Sequence, residues 1–373
     1  MKQLTLTCSH IFISCLVFGQ TKPILLEGKI DKYPIIMQIK TYDSNCMIKY
    51  FYINQKKDIE LEGTFDEKGK ILAKSANAPD ENSVERFDLR KTNTGYSGSW
   101  ILEDKRLAVS LISTSVEKFK NGHMYYPGIE ELKKDDPYNY IKSTGFIFTR
   151  DSVTINGVVQ IGWFKEKFSE VTFPRILSGY APDIIKKVNG KLFETHLSES
   201  IGYLGCAGSD YYVSTNYIFA HKNVLSIDFS VSYYCGGAHP DFGSAGLNFD
   251  IRTGKQLELE DIYWFSKTKP PTKDTDPWYT YRREVFAPKI VELLTKAHPN
   301  EMKKPDDNNE EECDYSEPGI WDFANWHFTE NGLYLGAYFA RVMRSCDSPG
   351  WSIIPYKLLK PYLNPESKTV LPL

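Results

Sequence analysis

The alternation of apolar and polar residues divides the chain into two stretches. From about 24 to 116, short runs of period two recur: Ile35–Lys40, Met47–Ile53, Ile59–Gly63, Lys70–Lys74, Val84–Arg90, Tyr96–Trp100 and Arg106–Ile112. Turn-forming clusters separate them, namely Asp43-Ser44-Asn45, Asp66-Glu67-Lys68-Gly69, Asn77–Asn82 and Asn93-Thr94-Gly95. A half-buried strand shows alternate residues to core and water, so this spacing predicts an antiparallel barrel or sandwich over 20–116. The interior of a small barrel is filled by side chains or, on a second reading with a scaffold role in the envelope, by a lipid.

Residues 117–139 break the pattern and read as a linker, with Asn121-Gly122, Pro127-Gly128 and the run Lys133-Lys134-Asp135-Asp136-Pro137. From 140 to 373, strands alternate with two helices. Phe146–Thr149, Ser152–Ile155 and Val158–Phe164 read as strands, the last two joined by a tight turn at Asn156-Gly157. A helix is predicted over about Pro182–Leu197, with Ile184, Ile185, Val188 and Leu192 on one face. Val213–Ala220 and Val224–Cys235 are strands; in the second, Leu225, Ile227, Phe229, Val231 and Tyr233 face one way and Ser226, Asp228, Ser230 and Ser232 the other. Cys235 has the apolar parity and is expected to point into the core. Ala245–Arg252 and Gln256–Leu259 pair around Thr253-Gly254. A second helix covers Arg282–Ala297, with Pro288 marking its first turn or a kink. After a polar loop over 303–319, Phe323–Thr329 pairs with Leu333–Ala340, and Trp351–Ile354 precedes a helical turn at Tyr356–Tyr362. The class is α+β: an all-β barrel or sandwich, then a mostly antiparallel sheet packed with two helices.

Composition narrows the partners. The chain has 373 residues, 45 Lys+Arg and 48 Asp+Glu, for a net charge of −3. That balance excludes a nucleic-acid binder, which needs a basic surface. Hydrophobic content of 41% with 25% charged residues places the chain among globular proteins. The N-terminus has Lys2, an interrupted apolar stretch from Leu4 to Phe18 and a small residue at Gly19, which reads as an export signal over 1–19. No later run reaches the ~18–20 apolar residues of a membrane helix. The expected location is outside the cytoplasm, which the resemblance described below narrows to the periplasm or cell surface of a bacterium.

Export makes disulfides plausible for the five cysteines beyond the signal, Cys46, Cys206, Cys235, Cys313 and Cys346. Spacing alone does not decide connectivity. Proximity favours Cys206–Cys235 and Cys313–Cys346, each closing a loop of about 30 residues and contributing about 3 kcal/mol in the chain-entropy model. Cys46 beside an apolar strand reads as a buried free thiol.

Several segments of the second stretch together resemble one family. They are Val171–Ile176, Lys186–Asn189, Ser232-Tyr233-Tyr234-Cys235-Gly236-Gly237-Ala238-His239-Pro240, Leu247-Asn248-Phe249-Asp250 with Thr253-Gly254-Lys255, Leu259–Ile262, Phe328–Leu333 and Ile354–Pro361. In order and spacing they resemble, over about 140–362, the exported domain of unknown function of lysozyme-sensing anti-sigma factors and of some peptidoglycan deacetylases. Gly28-Lys29-Ile30, Tyr33-Pro34-Ile35, Tyr50-Phe51-Tyr52 and Gly98-Ser99-Trp100 are similar to small β modules that precede such domains. The resemblance implies a non-catalytic domain that binds a lysozyme-like protein or a peptidoglycan fragment, without cofactor. The chain has no membrane helix and no deacetylase segment, so only the binding part carries over.

Candidate contacts follow. Gly236 and Gly237 let the backbone turn sharply at the end of a strand, with Tyr234, His239 and Asp241 beside them; a structural turn explains the same residues. Cys235 and His239 lack a second ligand pair, so no zinc site is expected. Residues 306–317 include Glu310, Glu311 and Glu312 and no base, which reads as a solvated loop or as a patch steering a basic partner. That loop lacks the order of a calcium-binding EF-hand. Trp264, Trp278, Trp321, Trp326 and Trp351 are core residues or a sugar-stacking platform, with Trp278 the most exposed by its neighbours Tyr279 and Tyr281. No serine-hydrolase elbow, metalloprotease helix or P-loop occurs; Phe242-Gly243-Ser244-Ala245-Gly246 has Phe at the first elbow position. The alternative reading, an enzyme or accessory module on cell-wall polysaccharide, rests on Asp241, Glu258, Glu260 and Asp261, with Glu258 and Glu260 on one strand face.

Overall fold

A computed structural model describes residues 22–75, 84–123, 125–206, 210–236, 238–305, 312–369 and 371. The expected signal over 1–19 lies outside the described residues, as do Gly237, Glu310 and Glu311. The chain forms two compact units, one running through Phe119 and one beginning at Lys120.

In the first unit, β1 (Ile24–Ile30), β2 (Tyr33–Tyr42), β3 (Asn45–Tyr52), β4 (Asp58–Phe65), β5 (Ile71–Ser75), β6 (Arg86–Lys91), β7 (Gly95–Leu102) and β8 (Lys105–Ser113) form a closed antiparallel barrel in sequence order. Seven of these match the alternating runs. The eighth, β1, escapes the pattern because Ile-Leu-Leu-Glu-Gly-Lys-Ile does not alternate, yet it pairs with both β2 and β8 and so closes the barrel. Leu26, Ile35, Met37, Ile48, Tyr50, Leu61, Phe87, Leu89 and Leu111 fill the interior, which removes the reading of a lipid-holding barrel. Glu85 is drawn in beside them, accepting hydrogen bonds from the Tyr50 hydroxyl and the Trp100 indole, and burial raises its pKa. Cys46 is free and buried, with its thiol pushed up to about 11 by desolvation.

The second unit opens with α1 (Ile129–Asp135) and α2 (Pro137–Ser143), which occupy much of the segment that reads as a linker. A sheet follows, ordered β11 (Thr172–Ser178), β10 (Val159–Glu166), β9 (Phe148–Asn156). The two short strands expected at 146–155 are the single strand β9, bulged where it faces Trp163 and Phe164. Helix α3 (Pro182–Gly205) runs two turns past the expected end. Its Ile184, Val188 and Leu192 pack with Ile161 and Phe173 of the first sheet, and with Leu225, Ile227 and Phe249 of a second sheet. That sheet comprises β12 (Asp210–Ala220), β13 (Val224–Tyr234), β14 (Asp241–Asp250) and β15 (Lys255–Gln256).

The polar face of β13 is buried as well. Ser226 donates to Asn248 Oδ1 (2.5 Å), and Asn248 donates to the Trp326 carbonyl (2.9 Å). These residues join the second sheet to a third, made of β16 (Asn325–Phe328), β17 (Gly332–Gly336) and β18 (Ile353–Pro355). Gly246 permits the close approach, since a Cβ there would stand 1.9 Å from the Trp326 carbonyl oxygen.

A second core gathers Leu259, Phe286, Ile290, Leu294, Trp321, Phe328, Leu333 and Ile354. The predicted second helix is one helical run of α4 (Asp276–Tyr281), a π-turn at Arg282–Phe286 and α5 (Ala287–Ala297). The π-turn accommodates Pro288 in the first turn of α5. A short helix, α6 (Tyr356–Leu359), follows β18.

The buried cation Arg175 is held by neutral groups. Arg175 donates to the Pro174 carbonyl (2.8 Å), meets His196 Nδ1 (3.2 Å) and stacks on Phe193. His196 Nε2 lies 2.8 Å from the Val171 carbonyl, so the ring donates there and accepts from Arg175. Burial, then the neighbouring guanidinium, holds the imidazole neutral with its pKa down at about 3.

Candidate functional site

The far end of the second sheet overhangs the core. β13 is buried from Val224 to Phe229 and then emerges, so Tyr233 and Tyr234 are exposed and Cys235 is only half-buried. The expected inward position of Cys235 is thereby corrected, because the core under the sheet ends at Phe229. What holds the overhang is covalent and local. Cys206, just past α3, bridges to Cys235, with Cα atoms 4.6 Å apart. Tyr211 donates to Glu199 of α3 (2.8 Å) and stacks on Tyr233 with centroids 5.7 Å apart.

Cross-strand partners share a face of a sheet. Tyr212 opposes Ser232, and Ser232 opposes Phe242, so these three form one row across the sheet end. The row is extended by Arg344, whose guanidinium lies over the rings of Phe242 (4.2 Å) and Tyr338 (4.8 Å). Arg344 donates to Asp241 Oδ1, to the Phe242 carbonyl and, through Nε at 2.9 Å, to Asp347. Arg341 donates to the Pro240 carbonyl (3.2 Å). The Cys313–Cys346 bridge and the Tyr315 hydroxyl on the Cys346 carbonyl (3.0 Å) fix the segment bearing these arginines. Tyr212 at 61%, Phe242 at 45% and Tyr338 at 59% exposure thus stand on a rigid base.

Of the residues singled out in the sequence, Tyr234 and His239 are exposed here. Gly236 adopts φ +88°, which accounts for a glycine without invoking a ligand. Asp241 is not a free contact: the Phe242 amide and Arg344 hold its carboxyl below the usual carboxylate range. Glu312 is exposed beside Cys313 and so lies on the segment bridged to Cys346. Sequence reasoning passed over Arg344, Phe242 and Tyr338. The sequence around Arg341–Arg344 carries no local signal of this contact, because Asp241 and Phe242 lie about a hundred positions earlier.

The other carboxylates lie elsewhere. Asp250, Glu258, Glu260, Asp261 and Glu366 line an open cleft of about 470 Å³, together with Trp264 and Trp278. Glu258 and Glu260 do not share a strand face, since β15 stops at Gln256 and a 3₁₀ turn follows at Leu259–Asp261. The Glu258 side chain caps that turn, and Asp261 accepts from the Glu258 amide (2.9 Å); this reciprocal cap outweighs the weak alternation. Each lining carboxylate faces a cation. The pairs are Asp250–Arg252 (3.0 Å), Glu258–Lys273 (3.0 Å), Glu260–Arg282 (2.8 Å), Asp261–Lys255 (2.7 Å) and Glu366–Lys269 (3.2 Å). This is the opposite of the apolar setting in which a carboxyl serves as general acid. Trp278, expected exposed, is buried, with its indole donating to Glu260 (3.2 Å); Trp264 is half-buried. Trp321 belongs to the core, and Tyr279 and Phe323 are the exposed aromatics next to Trp278.

Among the described residues, no three His, Cys, Asp or Glu converge as a metal site, and no helix is long and apolar enough to cross a membrane. No family model and no curated protein matches the sequence. Among solved structures, the chain is similar to the crystal structure of a member of the DUF3298 family from Bacteroides fragilis. The likeness covers 59% of this chain and 92% of that one, at 12% identity and a TM-score of 0.30. The likeness assigns neither a family nor a site to this chain, and nothing in it bears on an anti-sigma factor or a deacetylase.

Proposed function

We propose that the chain is an exported, non-catalytic binding protein of the bacterial cell envelope, and that its partner is a lysozyme-like protein. The supporting observation is the row Tyr212–Phe242–Arg344–Tyr338 at the sheet end, pinned by two disulfides. Exposed aromatics around an ordered arginine are what protein interfaces use as anchors, and a rigid base lowers the entropy cost of binding. Asp314 and Glu317 near the Cys313 bridge, with the acidic residues preceding them in the sequence, favour a basic partner. The disulfides accord with an oxidising compartment.

Calorimetry of residues 20–373 with lysozyme, at low and physiological salt, tests the reading. Stoichiometric heat is expected, weakened at least tenfold by joint Phe242→Ala and Tyr338→Ala changes. Absence of heat at both salts would remove the protein partner and leave a peptidoglycan fragment as the ligand to test.

A further inference from the structure

We propose that the cleft between residues 250–278 and 364–369 is a binding site for an uncharged saccharide of about two rings. This goes beyond the protein-binding surface and shares no residue with it. At about 470 Å³ the cleft lies within the usual span of small-ligand sites, roughly 300–1,000 Å³.

The chemistry of its walls selects the ligand class. All five lining carboxylates are matched by cations, as described above, so the walls offer many donors and acceptors without an unpaired acidic charge. A cationic ligand would have to displace one of these partners; Lys368, which also lines the cleft, stands outside the five pairs, and an acidic disaccharide in the test measures how far it draws an anion. A hydroxyl both donates and accepts, so a polyol can bridge an ion pair without breaking it.

The second element is apolar. The Trp264 indole N–H is already spent on the Glu260 carbonyl (3.0 Å), so what this half-buried side chain offers the cleft is ring surface. Pro270 and Pro271 lie in the same lining. Ring surface beside hydroxyl-binding groups suits a pyranose, which has apolar C–H faces and a polar rim.

The frame is set in advance. Glu260 is held by Arg282 and by the Trp278 indole. The Asn364 amide donates to the Asp261 carbonyl (3.0 Å), and the Trp264 amide donates to the Tyr362 carbonyl (2.8 Å). These bonds tie the two sides of the cleft together, so little ordering remains for a ligand to impose.

The test is a titration of the full chain with N,N′-diacetylchitobiose, cellobiose and digalacturonic acid. It is read by saturation-transfer NMR and by the indole N–H signals of the seven tryptophans. At least one uncharged disaccharide is expected to bind saturably and shift the Trp264 indole signal while leaving that of Trp351 in place. Trp264→Phe assigns that signal, and Trp264→Ala should weaken binding about tenfold. The proposal is overturned by either of two results: the Trp264 signal stays fixed up to about 10 mM of each uncharged sugar, a ceiling weaker than any specific site needs, or digalacturonic acid binds more tightly than both. The indole shift is measured on the unaltered chain, so a misfolded variant does not blunt the test.

Discussion

The two units solve the same problem, a sheet with apolar faces, in opposite ways. The barrel closes β1 onto β8, so no edge is left and one interior gathers a single apolar cluster. The second unit stacks three open sheets around two cores, and its largest sheet runs out past the core into solvent. An end that protrudes has no packing to hold it, and both disulfides sit there or on the segment that touches it. Closure removes the edge and fills one interior, whereas overhang leaves exposed aromatic surface that the disulfides pin.

Reduction is expected to separate the units most. The bridges span 29 and 33 residues. Each contributes about 3–4 kcal/mol in the chain-entropy model. Reductant should therefore lower the stability of the second unit in urea unfolding, followed by hydrogen exchange, and leave the barrel unchanged. Equal loss in both units would break the contrast. Next in size, Phe87→Ala in the barrel should cost about 3–5 kcal/mol, felt by the barrel amides alone.

Acid should act on the two units with opposite sign. His196 has a folded pKa near 3, below the ordinary value of 6.5, so the unfolded chain binds the extra proton. Its contribution is fully present above about pH 6.5 and is lost as pH falls toward 3, by about 1.4 kcal/mol per unit. Glu85 has a raised folded pKa, so its contribution is present in acid and lost as pH rises through that value. Between pH 7 and 5 the second unit should weaken while the barrel does not, and His196→Gln should flatten the slope. The smallest effect is expected for Asp241→Asn. It removes a half-exposed ion pair with Arg344, should change thermal stability by less than about 1 kcal/mol, and should still alter lysozyme binding if the sheet end is the contact.

Much of the fold was legible because its signals are short-range. Alternation marked seven barrel strands, Asn156-Gly157 marked a hairpin with Gly157 at φ +56°, and nearness in sequence paired the cysteines. The failures have more than one cause. β1 has no alternation to read, and its place is set as much by β8, distant in the chain, as by β2 across the turn at 31–32. The stretch 257–261 has strand-like parity but carries a reciprocal cap, and the local hydrogen bonds prevail. Trp278 looked exposed among tyrosines, yet Glu260, 18 residues earlier, takes its indole N–H.

The candidate site was half legible. Tyr234, Gly236, His239 and Asp241 mark the sheet end by their local chemistry, whereas Arg344 reaches Asp241 from 103 positions away. By itself, then, the sequence determined the class, the strand runs and the turns, all of which depend on neighbours within a few tens of residues, and it favoured the cysteine pairs that the structure forms. The tertiary structure decided that the barrel closes, that β13 is buried on both faces and then bare, and which cation answers which carboxylate. Those outcomes depend on edges, faces and charges that meet only after the chain has folded, and no local pattern encodes the meeting.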